Sequence, residues 1–243
     1  MNIYIFGDSH ARSFTTEAQI TKGSTTIKNC CKDSITIRGL NNERSTTNYG
    51  EYLLQTLRNI EDKKNAVIVL KLGQVDVEYS FHFKTIIKNE AINLNSFFEE
   101  IINIYAMFIN RIRAIYNFKI VICSINLPNY CTNDYFHSCL SYLFKLMYMK
   151  NEINITPDQL IKINAITVLD QTNNVIEFNK RLDQFCNKNN LIFLDTTAIF
   201  LDNETKILKT QYMGVDQHYL DVCSGSKDGI VQNIFQQMLL KKI

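Results

Sequence analysis

The first ten residues constrain this chain more than any other stretch. The apolar run at residues 3–6 has no polar alternation, so it reads as a strand buried on both faces. It passes directly into Gly7, Asp8 and Ser9, and helix-compatible residues follow from Ala11. A strand that ends in glycine and turns into a helix delivers its next side chains to the carboxyl edge of an open α/β sheet. Such folds keep their ligand sites there. Far downstream, Asp216 and His218 stand together ahead of a last helical pattern. A serine after the first strand and a late acid–imidazole pair are the parts of an acyl-transfer triad.

The rest of the chain alternates strand and helix patterns. Residues 11–20 fit a short helix, and a polar stretch follows. Residues 34–38 alternate and are β-branched, which predicts a second strand ended by Gly39. Residues 49–60 place Tyr52, Leu53, Leu57 and Ile60 at helical spacing, and 66–72 read as a third buried strand closed by Gly73. The longest helix pattern covers 95–117, a fourth strand 119–125, a further helix 173–187, a fifth strand 191–195 and a closing helix 226–240. Residues 129–168 are aromatic-rich, with a helix over 130–149, and read as an insertion or lid beside the site. This order predicts one α/β domain over 1–243, a three-layer αβα sandwich around a mainly parallel five-stranded sheet.

Bulk properties exclude several classes. With 243 residues the chain has the length for a full core. Its 26 basic and 24 acidic residues leave a net charge of +2 and no basic stripe, so nucleic acid is not an expected partner. No apolar run approaches the ~20 residues of a membrane span. Asp8 and His10 interrupt the N-terminal run, which argues against a signal peptide. A cytoplasmic protein without a membrane partner is expected, and its oligomeric state stays open. The seven cysteines are odd in number, with no Cys-x-x-Cys pair. The loose set Cys123, Cys131, His137 and Cys139 therefore reads as reduced thiols, and neither metal nor cofactor is expected.

The chain resembles the SGNH/GDSL hydrolase superfamily, whose motif blocks occur here in order. Gly7-Asp8-Ser9 matches the nucleophile block, so the resemblance implies that Ser9 attacks and that its own N–H faces the oxyanion. Gly39 falls where the superfamily takes a second backbone donor. The third block, usually Gly-x-Asn-Asp, is Gly73-Gln74-Val75-Asp76 here, so Val75 stands where a side-chain donor is expected. A lost donor of this kind costs roughly 10²–10³ in rate. Gln74, or Asn126 at the end of the fourth strand, is the candidate replacement.

In the last block Asp216 precedes His218 by two residues rather than three, with Val215 at the usual acid position. His218 is the expected base, oriented by Asp216 or by another acceptor. Asp8, His10, Gly73 and Asp76 are expected to contact substrate, with His10 as a wall. His82 and His137 lack a comparable context. The implied activity is serine-dependent hydrolysis of an acyl ester, with O-acetylated carbohydrate as substrate class. The alternatives are O-acetyl transfer with the same triad, or a non-catalytic glycan-binding protein that keeps the fold.

Overall fold

The two continuously apolar runs become the centre of the sheet. In the computed structural model, which describes residues 1–148, 154–214, 220 and 229–243, β1 (Asn2–Gly7) lies parallel to β4 (Ala66–Lys71). Every β4 residue is buried, as a strand covered on both faces requires. Beyond β4 the parallel strands β5 (Lys119–Cys123) and β6 (Ile192–Leu194) follow. On the other side of β1 lies β3 (Thr25–Asn29), also parallel, with β2 (Gln19–Lys22) antiparallel at the edge. The order is β2-β3-β1-β4-β5-β6. The chain moves outward from β1 on one side, then returns to build on the other, so the strand order reverses between β1 and β4.

The mainly parallel α/β architecture matches expectation, but the sheet has six strands rather than five. The predicted second strand is a correction. Residues 34–38 form turns, with Ser34 at φ +59°. The place beside β1 is taken by β3, hidden inside the polar stretch. As half of an edge hairpin, β3 buries only Ile27, so it carries no apolar run to read. Gln19 and Ile20, assigned above to a helix, belong to β2, and that helix shrinks to a 3₁₀ turn over Ser9–Ser13.

Among the described residues the helices are α1 (Tyr49–Arg58), α2 (Leu94–Ile115), α3 (Asn133–Tyr148), α4 (Pro157–Asn164), α5 (Val168–Lys188), the single turn α6 (Thr197–Phe200) and α7 (Ile230–Lys242). Helices α1, α2 and α5 pack side by side. The α2 stripe Phe97, Phe98, Ile101, Tyr105 and Phe108 is buried at 3.6-residue spacing, with Phe98 against Phe178 of α5 at 5.1 Å. Helix α7 seats Phe235 on Phe14, beside the 3₁₀ turn. Residues 76–80 and 83–87 widen into π-helical turns. They share a second apolar cluster with α3 and α4, built on Tyr79, Ile86, Tyr130, Phe136, Leu140 and Ile163.

Candidate functional site

The serine is set by a contact that only glycine allows. A Cβ at Gly7 would lie 2.2 Å from the Lys71 carbonyl oxygen and 2.7 Å from the Ala11 Cβ. The turn carrying Ser9 can therefore lie tight against β4. The Gly7 N–H donates to the Tyr49 hydroxyl at 2.8 Å, and that hydroxyl donates to the Cys30 carbonyl. Asp8 caps the turn, its Oδ1 accepting the His10 N–H at 2.9 Å. Ser9 is thus the first residue of the turn, and its hydroxyl is not used as the cap. His10 places Nδ1 3.2 Å from Asp8 Oδ1. Asp8, Ser9 and His10 are all at least 95 % buried.

The third block forms a clamp after β4. Gly73 takes φ +115°, and a Cβ there would lie 2.9 Å from the Phe178 ring, so its role is the turn itself. Gln74 is buried and fully engaged. Its Nε2 donates to Glu78 Oε1 at 2.5 Å and to the Asn126 carbonyl at 3.0 Å, while its Oε1 accepts the Asn126 N–H at 2.7 Å. Both amide hydrogens have partners, so the donor role considered for Gln74 has no hydrogen behind it. Asp76 accepts the Ile37 N–H at 2.7 Å and so fixes the loop after residue 34 instead of reaching outward for substrate. Burial lifts its carboxyl to about 7, against the pull of that hydrogen bond. Gly39, at the end of the same loop, already donates its N–H to the Thr36 carbonyl and hydroxyl. The backbone donor expected there is therefore occupied.

Asn126 differs from Gln74. It is 4 % exposed, and among the described residues its Nδ2 reaches only the Ser13 hydroxyl, at a long 3.4 Å, while Oδ1 has no partner. Ser13 sits on the serine turn and donates to the His10 carbonyl at 2.8 Å. The Asn126 amide thus lies beside the turn with a hydrogen to give. The backbone just before it is also held, because Asn179 of α5 pairs with the N–H and carbonyl of the preceding Ile125 at 2.8 and 3.0 Å.

Asp216 and His218, the expected acid and base, lie outside the described residues. The other histidines have structural partners. His82 is buried with Nε2 2.8 Å from Gln171 Oε1, and burial lowers its pKa. His137 Nε2 donates to the Ile166 carbonyl at 2.6 Å. No group of three or more His, Cys, Asp or Glu side chains among the described residues could hold a metal ion.

Two buried charges at this edge were not singled out by the sequence reading. Lys71 pairs in register with Gly7, is 1 % exposed and donates to the Ser124 carbonyl at 2.7 Å, and burial lowers its ammonium to about 8. Its signal was a lysine ending an otherwise apolar strand. Glu78 is 2 % exposed, and burial raises its carboxyl to about 7, with the His10 ring pulling the other way. Its signal was the four-residue spacing from Gln74, which stacks two side chains on one helical face.

No family model matches the sequence, and no curated protein matches it. Solved structures do. An acetyl xylan esterase from Geobacillus stearothermophilus superposes with a TM-score of 0.54 at 12% identity, over 99% of this chain and 93% of that one. A GDSL-like lipase from Bacteroides thetaiotaomicron gives 0.51 at 14% identity, over 99% and 86%. A member of the lipolytic G-D-S-L family from Veillonella parvula gives 0.50 at 11% identity, over 99% and 97%. At these identities the likeness is one of fold.

Proposed function

We propose that this chain, which folds as a GDSL/SGNH hydrolase, is a serine-dependent acyl-ester hydrolase acting on O-acetylated carbohydrate. The observation that carries this reading is the place of Ser9. It is the first residue of a turn at the carboxyl end of β1, capped by Asp8 rather than by its own hydroxyl, at the crevice where the strand order reverses. In the proposed reaction Ser9 Oγ attacks the ester carbonyl while His218, oriented by Asp216, takes its proton. The oxyanion is met by the Ser9 N–H and the Asn126 amide, since Gly39 and Gln74 are engaged elsewhere. The protonated alcohol leaves, and water carries the acyl group off Ser9.

The buried polar groups around the turn, Asp8, His10 and Asn126, favour a hydroxyl-bearing substrate over a long acyl chain. The acetyl xylan esterase among the structural neighbours is consistent with that class. Acetyl transfer would use the same steps with a sugar hydroxyl in place of water.

Labelling by a serine-reactive phosphonate and turnover of p-nitrophenyl acetate test the reading. Ser9→Ala is expected to abolish labelling, and Ser9→Ala and His218→Ala each to lower kcat by roughly 10³-fold or more. His137→Ala retains activity. If the wild-type chain neither labels nor turns over the ester, the hydrolase reading fails.

A further inference from the structure

Glu78 has no part in the triad, yet it is buried and bonded to Gln74 at the end of β4. Gln74, Asp76 and Glu78 come from one segment and reach three places. Asp76 holds the loop at Ile37, Gln74 holds the backbone of Asn126, and Glu78 holds Gln74. The next residue, Tyr79, places its hydroxyl 2.6 Å from that of Tyr130, on the chain leading into α3. The segment is π-helical, a widened turn that recurs at functional sites.

A primary amide such as Gln74 can present either end to a neighbour, and both its hydrogens must be satisfied when buried. The Asn126 backbone sets which end faces it, because its N–H needs Oε1 and its carbonyl needs Nε2. Glu78 Oε1 takes the second Nε2 hydrogen, which would otherwise be buried without a partner. The chain thus runs from Glu78 through Gln74 to Asn126, with Glu78 anchoring its near end.

We propose that Glu78 is a positioning residue of the hydrolytic site, anchoring Gln74 so that Gln74 holds the Asn126 backbone and, with it, the Asn126 side-chain amide beside the serine turn. The proposal rests on the esterase reading given above. Glu78 itself touches no substrate. Its contribution passes through Asn126, in place of the donor that Val75 cannot supply.

The test is a double-mutant cycle on p-nitrophenyl acetate turnover, joined to amide hydrogen exchange. Glu78→Ala is expected to lower kcat about 10²-fold with KM within about 2-fold, as loss of a transition-state donor does. Glu78→Gln, whose carbonyl still accepts from Gln74, recovers most of that loss. Asn126→Ala lowers kcat by the same order, and Glu78→Ala added to it costs little more, because the two act through one group. Fully additive losses overturn the proposal. If Glu78→Ala does not fold, Gln74→Met breaks the same link from its other end.

The exchange arm needs no activity. The Asn126 N–H, which donates to Gln74, is expected to exchange about 10-fold faster in Glu78→Ala and to recover in Glu78→Gln. Unchanged exchange overturns the proposal even in an active enzyme. Faster exchange in a chain with no esterase activity would place the failure in the esterase reading and leave the link itself standing.

Discussion

Gly7 shows how much one side chain decides. A methyl group there would meet a backbone carbonyl at 2.2 Å, and neither β1 nor β4 can yield without breaking their ladder. Gly7→Ala is expected to lose about 3 kcal/mol or more, measured by urea unfolding, at the upper end for overpacking. A smaller loss would mean that the serine turn lifts away from β4, and activity would fall with it. Lys71, the residue opposite, is harder to rationalise by stability, since a buried ammonium with one carbonyl partner gives up most of its hydration. Both residues were visible in the sequence as the ends of strands. That they face each other, and that the lysine is buried, depends on the pairing register.

Among the elements, α5 does more than cover the sheet. Its start is fixed by a capping box in which Thr167 and Asp170 satisfy each other's backbone. Twelve residues along, Asn179 pairs with both backbone groups of Ile125, just past β5. Asn179→Ala leaves a buried N–H and a buried carbonyl without partners and is expected to cost about 3 kcal/mol in chemical denaturation. It should also lower kcat on p-nitrophenyl acetate, because the segment it holds carries Asn126. An unaltered kcat at reduced stability would show that Gln74 alone suffices to place Asn126. The helix was legible from its apolar spacing at Val175, Phe178 and Leu182. The strand at 34–38 was misread because alternation of β-branched residues also suits a loop whose Ile35 and Ile37 are buried on one side. The Asp76 carboxylate, not a neighbouring strand, answers the Ile37 N–H.

Across the whole molecule, the buried titratable groups at the site edge set how stability responds to pH. Asp76 and Glu78 are both raised to about 7, so the folded chain keeps protons that the unfolded chain releases near pH 4. Their stabilising contribution is full below about pH 4 and is lost as pH rises to about 7. Lys71, lowered to about 8, acts oppositely, and stability falls as pH drops from about 10.5 to about 8. Urea midpoints should fall less between about pH 4 and pH 7 in Asp76→Asn than in wild type, and Lys71→Met should lack the fall between about pH 10.5 and pH 8. Parallel wild-type and Asp76→Asn curves would mean that Asp76 ionises at its ordinary value. No helix among the described residues is long and apolar enough to cross a membrane.

The sequence alone determined the alternation of strand and helix, the buried central pair of strands, and the delivery of Ser9 to the carboxyl edge, because apolar periodicity and glycine placement are local signals. It could not decide which donors remain for an oxyanion. Gly39, Gln74 and Asn126 all qualify by chemistry, and only the fold shows the first two already bonded, to Thr36 and to Glu78 with Asn126. Nor could it find the β2–β3 hairpin, whose exposed edge carries no burial pattern. A hydrogen bond between residues 52 positions apart, such as Gln74 to Asn126, leaves no periodic trace in either segment. It exists because the parallel sheet brings the ends of β4 and β5 to the same edge.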